Sequence, residues 1–229
     1  MNRFERTENL IGKENSELLK SKSIIIFGLG GVGSFVAEAA ARCGVGKIAL
    51  VDKDTVDITN INRQLIALSS TVGMPKTEVM ASRIRDINPE CAVTKFNIFY
   101  KNANDLDLSS YDYIIDAIDT VTAKLILIAE AKRLDIPIIS CMGTGNKLDA
   151  SKFQISDISK TSVCPLAKVM RRELKARGIA HLKVLFSTEE VKKNDDEEKR
   201  RIPASISFVP PVAGMLIAGE MIRDLIKAV

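Results

Sequence analysis

A doubly wound, mostly parallel α/β sheet is the architecture this sequence predicts, and three observations predict it. Short apolar runs recur along the chain, helical segments alternate with them, and a glycine-rich GxGxxG stretch sits at the first junction. The first run, SIIIF at 23–27, stops at Gly28 and reads as a parallel strand covered on both faces. The helix formers SFVAEAAARC at 34–43 follow and end before Gly44, a residue suited to a helix C-terminus. KIALV at 47–51 then completes one βαβ unit. Residues 76–87 carry an amphipathic helical pattern closed by Asn88-Pro89. Strands are expected at 92–99, 113–118 and 136–140, with a helix at 122–134 between the last two.

After about residue 145 the pattern changes to a mixed α+β part, with strands at 149–158 and 182–187 and helices at 165–177 and 220–229. The chain therefore divides into residues 1–145, which carry the nucleotide-binding pattern, and 146–229, read as the C-terminal part of the same fold. KKNDDEEKRR at 192–201 has nine charges in ten residues, buries nothing and reads as a surface loop. Residues 203–219 are uncharged, but Pro203, Pro210, Pro211, Gly214 and Gly219 break them. They read as buried core rather than a membrane span.

At 229 residues and 46% apolar composition the chain is long enough for a sizeable core. Its 33 basic and 29 acidic residues leave a net charge of +4, which neither proves nor excludes a nucleic-acid partner. Cys43, Cys91, Cys141 and Cys164 show no CxxC spacing, so neither a zinc ribbon nor a disulfide scaffold is expected. MNRFERTENL at the N-terminus carries charges where a secretory leader needs an apolar run, which points to the reducing cytosol. Cys43, Cys91 and Cys141 are read as small core residues, and the sole histidine, His181, as structural or surface. Cys164, just before Pro165, is either a helix-entry residue or a thiol near the active site.

Gly28, Gly30, Gly31 and Gly33 form the GxGxxG stretch between a strand and a helix. Glycines there let backbone approach a phosphate, and the helix N-terminus attracts its charge. Asp52, at the tip of the second strand, is placed to accept hydrogen bonds from a ribose. Up to this point NAD and ATP fit equally well. The stretch DKDTVDITNINRQ from Asp52, followed by Gly73-Met-Pro-Lys76, adds Arg63 and Lys76. They are either fixed cations for a polyphosphate or solvated surface residues. Two other readings stay open: an NAD-dependent dehydrogenase, and a nucleotide-sensing module without catalysis.

Six motifs in order resemble the adenylating E1-like enzymes, which include ubiquitin-activating enzymes and bacterial relatives in molybdopterin and thiamine biosynthesis. They are RFER at 3–6, GLGGVGS at 28–34, VDKD at 51–54, TNINRQ at 59–64, GMPK at 73–76 and IDAID at 115–119. The resemblance implies a Rossmann-like adenylation domain over residues 1–145 that uses ATP and magnesium. It makes Asp52 the ribose ligand, Asn60, Arg63 and Lys76 the groups around the triphosphate, Asp119 the magnesium carboxylate and Asp54 an acidic group beside the reaction centre. Arg6 resembles the arginine that reaches the partner subunit's ATP, which implies a homodimer. TSVCPLAKVMRR at 161–172 and SISFVPPVAG at 205–214 are similar to the tRNA-modifying branch. That branch implies ATP-dependent cyclisation of threonylcarbamoyladenosine beside the anticodon, through an acyl adenylate. The rival within the family is adenylation of a sulfur-carrier protein's C-terminal glycine, against which the missing CxxC pairs argue. A monovalent cation and a sulfur-relay partner stay open, and neither zinc nor a membrane is expected. Between Pro165 and Gly178, Lys168, Arg171, Arg172 and Lys175 share one helix face, read as either a contact for tRNA phosphates or a solvated face.

Overall fold

The computed structural model describes residues 2–190 and 203–226. It opens with two helices that the apolar pattern left unassigned, α1 (Glu5–Ile11) and α2 (Lys13–Ser21). Gly12, at φ 83°, turns the chain between them. The alternation then follows as β1 (Ser23–Phe27), α3 (Gly33–Arg42), β2 (Lys47–Val51), α4 (Lys76–Ile87), β3 (Ala92–Phe96), β4 (Tyr113–Asp116), α5 (Val121–Arg133) and β5 (Ile138–Cys141). Three further elements, β6 (Phe153–Asp157), α6 (Pro165–Ala176) and β7 (Lys183–Ser187), precede the last helix, α7 (Val209–Ile226).

One sheet takes the order β3-β2-β1-β4-β5-β7-β6, and every neighbouring pair is parallel except β6 against β7. The α+β half therefore extends the same sheet. Side chains of β1 alternate between two cores. Ile24 and Ile26 pack with α3, α4 and α7, while Ile25 and Phe27 pack with α5 and α6. Both faces are covered, which is why the strand reads as an unbroken apolar run. Each such side chain contributes about 1.5–3 kcal/mol by leaving water. Strand order reverses between β1 and β4, whose ends pair Phe27 with Asp116, and a crevice opens there beyond the carboxyl ends of the strands.

Several boundaries differ from the sequence expectation for identifiable reasons. β3 ends at Phe96 instead of running to 99, because the chain then turns into the crevice. Pro137 has no N–H for the ladder, and β5 starts at Ile138 and not at 136. Residues 150–152 form a short 3-10 turn capped by Asp149, which delays β6 to Phe153. The largest correction concerns α7, which starts at Val209 rather than 220. Pro210 and Pro211 occupy its first turn, where the N–H groups need no partner. Gly214 is required by packing, since a Cβ there would stand 2.5 Å from the Val32 carbonyl oxygen. Among the described residues no helix is long and apolar enough to cross a membrane. The charged segment at 192–201 and the expected helix end at 227–229 lie outside the described residues.

Candidate active site

The crevice holds a cavity of about 760 Å³. Gly28, at φ 87°, swings the chain out of β1, and a Cβ there would lie 2.6 Å from the Ala117 carbonyl oxygen. At Gly33 a Cβ would sit 1.8 Å from the Gly28 carbonyl oxygen, so these two glycines close the turn. Gly30 differs. Its nearest neighbour would be the Gln64 Nε2 at 3.9 Å, so the hydrogen it carries faces open cavity. The loop ends at the N-terminus of α3, where Ser34 Oγ donates to the Gly30 carbonyl at 2.7 Å. This is a cradle of backbone for a phosphate.

Asp52 holds that cradle from below. Its Oδ2 accepts the Leu29 N–H at 2.6 Å and its Oδ1 accepts the Asp54 N–H at 2.8 Å. The carboxylate thus positions the loop as well as lining the cavity, with lone pairs to spare for a hydroxyl. Lys76, the first residue of α4, has a side chain 7% exposed with its Nζ 3.3 Å from Asp54 Oδ2. The half-buried Arg63 packs its stem over Gly31 and donates to the Thr59 carbonyl at 3.0 Å and Asn62 Oδ1 at 2.7 Å. Neither is a fully solvated surface residue, since Lys76 is buried, Arg63 is half-buried and both line the cavity. Asn60 is buried, and its Oδ1 accepts the Asp57 N–H at 3.1 Å. Asp119 is exposed at the cavity wall.

Beneath Asp119 lies a network of fully buried polar groups that the motifs did not reveal. Lys124 Nζ donates to Asp116 Oδ2 at 2.9 Å and to Ser140 Oγ at 3.2 Å, and Ser140 Oγ donates to the same Asp116 oxygen at 2.5 Å. Asp116 Oδ1 accepts the Ile118 N–H at 3.2 Å and so fixes the turn that carries Asp119. Phe27, Val51, Ile98, Phe99 and Tyr100 make an apolar wall suited to a flat base, with the Phe27 and Tyr100 rings edge-on at 5.0 Å. Burial pushes the Tyr100 hydroxyl up to about 12. Gln64 lies above the cradle with its Oε1 buried and without a partner among the described residues; its place directly after Arg63 in TNINRQ is the signal for it.

Other expected residues fall elsewhere. Arg6, on α1, is exposed and lines no part of the cavity. On α6, Lys168, Arg172 and Lys175 are exposed, whereas Arg171 turns inward and donates to the Thr161 carbonyl at 2.9 Å and its Oγ1 at 2.5 Å. One of the four basic side chains is thus committed to holding the loop before α6. His181 is 80% exposed with Nδ1 3.3 Å from Asp157 Oδ2, a surface position. All four cysteines are free thiols. Burial pushes Cys91 up to about 11 and Cys141 up to about 12, and Cys43 is raised for the same reason. Cys141 also lines the cavity, which its apolar sequence context did not show. Cys164 is both the residue preceding α6 and a buried cavity-lining thiol. It follows Val163, which is held at φ 61°, an uncommon conformation for a β-branched residue.

A glycine cradle, a strand-end carboxylate and two inward-facing cations define a phosphate-handling protein of the doubly wound α/β class. The chain belongs to the ThiF family, whose model matches residues 4–228. The tRNA threonylcarbamoyladenosine dehydratase of Bacillus subtilis strain 168 is 49% identical over 99% of this chain and 96% of its own length. The E. coli tRNA N6-threonylcarbamoyladenosine dehydratase, solved in complex with ATP, matches with a TM-score of 0.89 and 36% identity. That match covers 98% of this chain and 94% of the E. coli one. A more distant relative is the Kluyveromyces lactis adenylyltransferase and sulfurtransferase UBA4, 32% identical over 70% of this chain but only 36% of its own length.

Proposed function

We propose that this chain is an ATP-dependent tRNA threonylcarbamoyladenosine dehydratase. The observation that carries the reading is that likeness to the dehydratases runs through both halves of the cavity lining, the nucleotide half and the half built after residue 141. ATP would lie with its base against Phe27 and Phe99, its ribose at Asp52 and its phosphates over Gly28 to Gly33. Arg63 and Lys76 oppose the charge that builds on the departing pyrophosphate. Among the described residues no group of three metal-ligating side chains exists. Magnesium commonly takes one or two carboxylates together with phosphate oxygens and water, so Asp119 fits as its protein ligand. When bound, the ion neutralises phosphate charge.

The chemistry follows from a leaving-group problem. A carboxylate cannot expel oxide, so its oxygen first attacks the α-phosphorus and pyrophosphate departs with the electron pair of the broken bond. An atom of the substrate's own ureido group then attacks the acyl carbon, and AMP leaves carrying the former carboxylate oxygen. The product is the cyclic nucleoside, lighter by one water. Because the nucleophile is tethered beside its electrophile, effective concentration replaces an enzyme nucleophile. Lys168, Arg172 and Lys175 supply charge for tRNA phosphates. Arg6, remote from its own cavity, serves the partner's site in a homodimer.

Incubation with ATP, magnesium and threonylcarbamoylated tRNA tests the reading. AMP release with loss of one water from the nucleoside is expected, and Lys76→Met should lower AMP formation by about 10²–10³. AMP formed only with a ubiquitin-like carrier protein would replace the reading with the sulfur-carrier one.

A further inference from the structure

The part of the cavity lining that follows β5 in the chain includes Gly143, Asn146, Lys147, Cys164, Leu166 and Ser205. Two distant segments build it. The Asn146 N–H donates to the Ala204 carbonyl and the Ala204 N–H to Asn146 Oδ1, both at 2.8 Å. Asn62 Nδ2 donates to the Ser205 carbonyl at 3.0 Å and ties the same segment to the loop that carries Arg63. Of the basic residues in the described lining, Lys53, Arg63, Lys76 and Lys147, only Lys147 comes from this part of the chain, and it is 5% exposed. Its Nζ donates to the Glu189 carbonyl at 2.8 Å, a neutral acceptor. The Glu189 carboxylate is turned to the backbone N–H groups of Leu148 and Asp149, each at 2.9 Å. No described carboxylate lies within salt-bridge distance of Lys147, so among the described residues one of its three donors is used. Burying such a charge is costly unless an anion arrives to share the site.

We infer that Lys147 binds the carboxylate of the acceptor, an inference that rests on the dehydratase reading. Arg63 and Lys76 are assigned to the phosphates and the Lys53 side chain is 56% exposed, which leaves Lys147 as the buried cavity-lining cation for the acceptor. The acceptor must bring one anion against another: a carboxylate oxygen forms its bond to the α-phosphorus while the bond to the pyrophosphate oxygen breaks. Lys147 offsets that repulsion and orients the attacking oxygen. The Glu189 carbonyl holds the ammonium in place, while the Glu189 carboxylate attracts it from beyond hydrogen-bond distance.

The test compares an anticodon stem-loop RNA bearing the threonylcarbamoyl group as the free acid with one bearing it as the carboxamide. Both are titrated against the full-length protein loaded with a non-hydrolysable ATP analogue. The wild type should bind the acid about 10-fold or more tightly than the amide. Lys147→Gln keeps a donor for the Glu189 carbonyl and removes only the charge. It should bind both RNAs alike, with affinity for the ATP analogue within about twofold of wild type. Lys147→Met gives the same comparison should the glutamine variant not fold. A variant that keeps the wild-type preference for the acid overturns the inference, as does a wild type that turns over modified tRNA without preferring the acid. A wild type that forms no AMP from modified tRNA overturns the dehydratase reading and the inference together.

Discussion

Gly30 separates two demands that a glycine loop usually mixes. Gly28 and Gly33 are required by the backbone itself, whereas Gly30 has clearance on its cavity side and no positive φ. Gly30→Ala should therefore fold with stability within about 0.5 kcal/mol of wild type while weakening ATP binding, measured by calorimetry. Cys164 gives a second prediction at this scale. Since the substrate supplies its own nucleophile, Cys164→Ser should keep turnover of modified tRNA, and complete loss in a folded variant would assign the thiol a chemical role. The readable residues of the site were those in short motifs: Gly28, Asp52, Arg63, Lys76 and Asp119 all line the cavity. Lys147 was not legible as a site residue because the loop after β5 that carries it meets residues 203–205, with Asn146 and Ala204 58 positions apart.

Elements were legible where one physical signal dominated. β1 is buried at every position, and α4 runs over the twelve residues its pattern specified. α7 was misjudged in its first half because Pro210, Pro211 and Gly214 are breakers in an isolated chain, while here the prolines fall in the first turn and the glycine fits against α3. α6 was placed correctly, yet the spacing of its basic residues could not show that Arg171 bonds inward. That difference predicts a split. Lys168→Ala with Lys175→Ala should weaken tRNA binding and lower its salt dependence by about one to two in slope, leaving thermal stability alone. Arg171→Ala should instead lower the melting temperature, because it leaves the Thr161 carbonyl and Oγ1 without their shared donor.

At the scale of the molecule, the strand order puts the reversal between β1 and β4, and nearly every motif residue then collects at one edge of the sheet. The alternation of elements predicted that reversal in kind. It could not predict the buried network under it, since Asp116, Lys124 and Ser140 come from three elements and each reads alone as ordinary. Lys124→Met should leave an uncompensated buried carboxylate and cost about 3–5 kcal/mol in denaturant unfolding, with Lys124→Met and Asp116→Asn together recovering part of it.

The seating of α7 on the cradle carries a separate consequence. Pro210 Cβ lies 2.9 Å from where a Gly31 Cβ would stand, and Gly214 abuts Val32 and Phe35. Opening of the last helix is therefore expected to be coupled to opening of the phosphate loop. A nucleotide that clamps the loop lowers the population of that joint opening by mass action. Amide protons of α7, at the far end of the chain, should exchange more slowly when ATP is added, which makes the C-terminal helix a reporter of site occupancy.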